Sequence, residues 1–161
     1  MNKERFMELI SKEQESLRRF LLALCCGDRM LAEDIAQESL IKAYLASDRY
    51  VEQYRFATWL FRIAYHTFVD YRRRDKHYAG EIDERTAAGD ESSADKSFEY
   101  QELYAALNEL SSKERTSILL FYMQGYSIKE ISHITGNSEN AVKMQLSRGR
   151  NNLKSKLYNE R

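Results

Sequence analysis

A run of 161 residues without one proline, and with only six glycines, leaves a chain few ways to break a helix. Proline is the strongest interruption of helical backbone, and glycine the commonest turn just past a helix end. With Ala, Leu, Glu, Lys, Arg and Gln dominating, the composition predicts an all-α protein with few tight turns. No strand-like alternation of useful length interrupts it. The opening MNKERFMELISKEQESLRRF lacks the unbroken apolar core of a secretory signal. No stretch approaches the roughly 20 apolar residues that span a bilayer. A cytoplasmic protein with no membrane insertion is expected.

The residues that usually carry chemistry are sparse. Cys25 and Cys26 are adjacent, which strains any mutual disulfide, and no second Cys or His pair supplies a metal-binding spacing, so they are expected to be reduced helix residues. His66, His77 and His133 are scattered in the chain. No nucleophile with a base partner and no phosphate loop is present. Neither catalysis, a cofactor, a metal nor a small-molecule substrate is expected.

Lys plus Arg and Asp plus Glu both total 25, but the charges are segregated. From Arg62 to Lys76 five cations face Asp70 and Asp75, and from Lys143 to Arg161 six face Glu160 alone. Between these poles, from Glu81 to Glu102, eight carboxylates face only Arg85 and Lys96. The stretch 77–97 is poor in large apolar residues and holds glycine, serine and acids, a composition that buries too little surface to offset chain entropy. It is predicted to be a flexible acidic linker. Two small helical domains, at 1–76 and 98–161, follow from it.

In the first unit, Phe6, Leu9, Ile10, Leu17, Leu21 and Leu24 mark a helix that ends near Gly27. A second helix follows. At about 100° per residue its Ala32, Ile35, Ala36, Ser39, Leu40 and Ala43 share a close-packing face. The opposite face carries Asp34, Gln37, Ile41 and Leu45, with Glu38 and Tyr44 beside them. Two readings stand for Ile41 and Leu45: a partner surface with an apolar centre and polar rim, or packing on the first helix.

The stretch FATWLFRIAYHTFVDYRRRDK, residues 56–76, predicts a third helix. Phe56, Trp59, Leu60, Ile63, Ala64, Thr67 and Tyr71 form its core arc. A second arc of Phe61, Tyr65 and Phe68 leads to Arg72, and Arg62, His66 and Arg73 make a polar stripe about 16 Å long. Arg49, Tyr50, Tyr54 and Arg55 lie in the preceding loop. Aromatic faces stack on unpaired bases while guanidinium groups hold the backbone, so this mixture suits single-stranded nucleic acid.

The second unit repeats one device. Ser111 with Glu114 and Ser127 with Glu130 read as capping boxes, and the helices they open stop at Gly125 and Gly136. A long basic helix follows, with Val142, Leu146, Leu153 and Leu157 facing inward. Short helix, glycine turn and longer basic helix make a helix-turn-helix. Asn140, Lys143, Met144, Ser147, Arg148 and Arg150 lie on or beside the outward face. Such hairpins are common, and it is the basic tail and the outward Arg148 that favour DNA.

Three segments then resemble a known family in the right order. AEDIAQESLIKAY, residues 32–44, looks like the polymerase-binding segment of the extracytoplasmic-function (ECF) group of sigma-70-type RNA polymerase sigma factors. FATWLFRIAYHTFVDYRRR looks like their promoter-melting helix, and YSIKEISHITGNSENAVKMQLSRGRNNLKSKL like the helix-turn-helix that reads the −35 element. The resemblance implies that Asp34, Gln37, Glu38, Ile41 and Leu45 dock core RNA polymerase. It further implies that Arg49, Tyr50, Tyr54, Arg55, Arg62, His66 and Arg73 hold single-stranded −10 promoter DNA, and that the outward residues of the last helix read the −35 duplex. The linker would thread toward the polymerase channel, and an anti-sigma factor is an expected partner.

The chain departs from the family pattern at His66, where asparagine is frequent, at Met144 and Gln145, and at Gly149, where alanine is common. Gly149 should cost the helix about 1 kcal/mol unless it permits close packing. A free-standing helix-turn-helix regulator is the alternative. It lacks support in the absence of a heptad after residue 150 and leaves the Asp34, Gln37, Ile41 stripe without a purpose.

Overall fold

Helix after helix begins where a short polar side chain accepts an otherwise orphaned amide. In the computed structural model, which describes residues 1–51, 53–78 and 94–159, Asn2 caps α1 (Lys3–Leu24) by accepting from the Arg5 amide. Asp28 caps α2 (Arg29–Ala46) through the Leu31 amide. A 3₁₀ turn at Ser47–Arg49 and a loop lead to α3 (Phe56–Tyr78). The second group comprises α4 (Ala94–Glu109), α5 (Ser112–Ile118), a π-helical turn at Leu119–Met123, α6 (Ile128–Thr135) and α7 (Glu139–Asn159). No described residue is in a strand. The all-α expectation holds.

Most of the predicted acidic linker, residues 79–93, lies outside the described residues. The helices that flank it run to Tyr78 and from Ala94. Cys25 and Cys26 stand just past α1 rather than within it, Cys26 with φ of +54°. Both are free and buried, and burial pushes the Cys25 thiol up to about 12, which keeps it protonated and unreactive.

The helix-turn-helix forms for local reasons. Ser127 and Glu130 complete a reciprocal capping box at the start of α6. Its end is Gly136 in the left-handed conformation, φ +79°, where a side chain would clash with the backbone. The turn sends α7 across the unit so that Val142 and Leu146 are buried against α5 and α6. Gly149 supplies the close packing: a Cβ there would lie 2.7 Å from Ile118 Cγ1. Gly149→Ala is therefore expected to lower stability by about 1–2 kcal/mol through overpacking, not to raise it through helix propensity. Thermal unfolding of the variant checks the sign.

The two groups of helices pack directly on each other. Phe61 of α3 lies edge-on to Tyr126, with ring centroids 5.6 Å apart, and one buried apolar cluster runs from Phe6 through Phe61 to Leu146. Ser16 Oγ donates to Gln124 Oε1 at 2.6 Å. Deepest in the joint, the Arg115 guanidinium donates to the carbonyls of Leu107 and Leu110 at the end of α4, and of Leu24 at the end of α1. Each fully buried side chain of the joint contributes roughly 1.5–3 kcal/mol relative to exposure.

Candidate nucleic-acid interface

Helix α2 turns its small residues inward and its predicted docking stripe outward. Ala32, Ile35, Ala36, Ser39 and Ala43 are buried, whereas Ile41 is 60% and Leu45 68% exposed. Asp34 and Gln37 are exposed beside them, and Glu38 is half-buried. Glu38 lies within ion-pair distance of Lys42, 3.3 Å, and Arg74, 3.8 Å. Of the two readings for Ile41 and Leu45, packing on α1 is therefore the one that fails. Met30, 79% exposed, extends the same stripe one turn toward the N-terminus. The sequence reading missed it, although its place four residues before Asp34 was the available signal.

The third helix is more deeply embedded than its pattern implied. Phe61, Tyr65 and Phe68, expected as an exposed base-stacking arc, are all buried. Phe61 packs on Phe20 of α1, centroids 5.2 Å apart, as well as on Tyr126. A helix covered on two sides carries two apolar arcs, and periodicity alone cannot tell the second from a binding face. The aromatic arc is core.

Part of the accessible face of α3 lines a cleft of about 470 Å³ between α2 and α3. Arg49, Arg62 and His66 line it, together with Trp59, Leu45 and Lys42. Lys42 was not singled out from sequence, and Trp59, assigned there to the core arc, is half-buried and lines the cleft instead. Lys42 lies 3.8 Å from Asp70 and donates to Thr67 Oγ1. Burial and the adjacent Arg62 charge hold the His66 imidazole below its ordinary range, opposed by Asp70, so it is neutral near pH 7. A neutral imidazole both donates and accepts, which suits a base edge.

The loop residues behave differently. Tyr50 sits edge-on to Phe56 and Trp59 and donates its hydroxyl to the Tyr54 carbonyl at 3.0 Å. Tyr54 stacks on His133 of α6, centroids 3.8 Å apart and planes inclined by 14°. Arg55 pairs with Glu130 at 2.8 Å, and Arg62 donates to the His133 carbonyl at 2.7 Å. Burial works to raise the Glu130 carboxyl, but the Ser127 and Arg55 donors together hold it below the ordinary range. Arg73 is exposed farther along α3, away from the cleft.

On α7, Asn140, Lys143, Met144, Ser147, Arg148 and Arg150 are all exposed, as the helix-turn-helix reading requires. Arg150 donates to the Tyr122 hydroxyl at 3.2 Å. Gln145 turns inward instead, where its carbonyl accepts from Ser117 Oγ at 2.6 Å. Its departure from the family pattern is thus tied to packing inside the unit. No described helix is long and apolar enough to cross a membrane, and among the described residues no His, Cys, Asp and Glu cluster fit for a metal is present.

One unit exposes a basic face on α7, and the other sets a cationic cleft beside an acidic and aliphatic stripe on α2. Residues 9–78 match the family Sigma-70 region 2, and residues 100–153 match Sigma-70, region 4. Over 156 residues the chain is 31% identical to the ECF RNA polymerase sigma factor SigM of Bacillus subtilis (strain 168), covering 94% of each. It is 30% identical over 151 residues to the ECF RNA polymerase sigma factor EcfG of Rhodopseudomonas palustris (strain TIE-1), covering 89% of this chain and 80% of that one. Its fold matches the sigma factor RpoE solved in complex with the anti-sigma factor NepR from Bartonella quintana, with a TM-score of 0.78, 25% identity, and coverage of 98% and 99%. The chain belongs to the ECF RNA polymerase sigma factors of the sigma-70 family.

Proposed function

We propose that residues 1–76 and 98–161 act as separate promoter-reading domains joined by the linker 77–97, and that three faces divide the work of initiation. The α2 stripe of Asp34, Gln37, Glu38, Ile41 and Leu45 docks core polymerase. Arg49, Tyr50, Tyr54, Arg55, Arg62, His66 and Arg73 hold the non-template −10 strand, and the outward face of α7 reads the −35 duplex. The observation that carries this reading is the exposure of Ile41 and Leu45 amid polar neighbours on a helix whose opposite face is fully packed. Extruding a base costs a few kcal/mol, which contacts in a pocket of aromatic and cationic groups offset. Strand capture then favours melting without covalent chemistry, so no enzymatic role is assigned, and the protein acts where RNA polymerase acts, in the cytoplasm. The likeness to a sigma factor solved with its anti-sigma factor supports a protein inhibitor as a further partner.

The test is to add the purified chain to core polymerase and a promoter library and to sequence the transcripts. New start sites sharing −35 and −10 elements are expected; identical start sites with and without the chain would sink the reading. Arg148→Ala should weaken −35 duplex binding by about 1–3 kcal/mol, the range for an arginine bidentate to guanine, whereas Lys154 and Lys156 supply only sequence-blind attraction. Duplex titrations at fixed salt measure the difference.

A further inference from the structure

The end of α1, one side of α4, the π-helical turn and the C-terminal half of α7 enclose a cavity of about 1040 Å³, more than twice the volume of the α2–α3 cleft. Leu107 and Leu119 line it fully buried, and Leu22, Leu153 and Leu157 half-buried. Tyr100, Leu103, Tyr122 and Met123 also line it but remain exposed. Apolar side chains gathered round a cavity and left open to water mark a binding site. Tyr104 is seated in its wall against Gly27, where a Cβ would lie 2.7 Å from the ring. The cavity is elongated: α4 lines it from Tyr100 to Asn108 and α7 from Arg150 to Leu157, about 10–12 Å at the helical rise. Its lining holds Arg19, Arg29, Arg150 and Lys154 and no carboxylate. Arg19 is engaged by Glu15 at 3.5 Å and Arg150 by the Tyr122 hydroxyl at 3.2 Å. Arg29 and Lys154 enter no ion pair among the described residues.

We infer that this cavity binds a single-chain anionic amphiphile, a free fatty acid, with its chain along the α4–α7 groove and its carboxylate toward Arg29 and Lys154. A long apolar groove buries a flexible chain, and unpaired cations select the charge of the head. A neutral chain would leave Arg29 and Lys154 without a partner. A short anion would leave the leucines open to water. Only a ligand with both parts satisfies both halves of the lining. Of the lining residues only Arg150 belongs to a face proposed for DNA, so the site stands whether or not that reading does.

The test titrates the full chain with decanoate, dodecanoate and tetradecanoate below their micellar concentrations, and with dodecanol as the neutral control. Calorimetry should show dodecanoate saturating at one molecule per chain. Each added methylene should tighten binding by about fourfold. Dodecanol should bind at least tenfold more weakly than dodecanoate. Arg29→Gln with Lys154→Gln should erase that preference and leave dodecanol binding as it was; both positions are exposed, so the fold is kept. Ala105→Trp, which sets an indole into the groove from an exposed position, should abolish binding of every probe while circular dichroism shows native helix content. Affinity that ignores chain length, or that survives both variants, would overturn the proposal. So would the absence of saturable dodecanoate binding. In that case dimerisation in sedimentation, abolished by Ala105→Trp, would make the groove a contact between copies of the chain. Retention of the chain on phosphatidylglycerol vesicles without binding of free acid would give the site to a membrane lipid instead.

Discussion

Arg115→Ala is expected to destabilise the protein by about 3–5 kcal/mol, the largest effect of any single truncation outside the apolar core. The side chain is 3% exposed, and its three nitrogens donate to Leu107, Leu24 and Leu110 carbonyls at 2.9, 3.0 and 3.2 Å. Those carbonyls close the ends of α4 and α1, where unsatisfied acceptors accumulate partial negative charge. Burial pulls the guanidinium pKa down, but arginine remains charged in proteins. Alanine would take the guanidinium donor from all three carbonyls, of which Leu107 keeps the Leu110 amide at 3.1 Å, and leave a void at the junction of the two units. Lysine should recover only part of the loss, because an ammonium on a single stem cannot span three acceptors as the planar fork does. Urea titrations of both variants supply the comparison; a loss below about 1 kcal/mol for Arg115→Ala would mean that water replaces the fork.

The largest functional effect is expected from Asp34→Arg combined with Ile41→Glu. Both side chains are exposed, so stability should change by no more than about 0.5 kcal/mol. At the centre of a docking face, a reversed charge and a buried carboxylate each act at hot-spot scale, about 2 kcal/mol or more. Affinity for core polymerase should fall by a factor on the order of 100 or greater. Co-purification with core at the level of the unmodified chain would remove the α2 stripe from the docking surface.

Sequence alone determined what depends on near neighbours. Caps at Asn2, Asp28, Ser111 and Ser127, the left-handed stop at Gly136, the small-residue face of α2 and the outward face of α7 are set by contacts within about four residues, the range over which helical order is specified. The exposed stripe of α2 that we propose docks polymerase was legible as a shared face for the same reason, since polar and aliphatic residues at helical spacing share a face wherever the helix lies. Tertiary structure alone decided which faces are covered. Phe61, Tyr65 and Phe68 formed a recognisable arc, but only the arrival of α1 and Tyr126 makes that arc core. Arg115 reaches Leu24 across 91 residues of chain, and Arg62 reaches His133 across 71. A periodic pattern states which side chains point the same way, not what will come to meet them. The meeting is settled by the packing of distant helices, which leaves no local mark on the residues that take part.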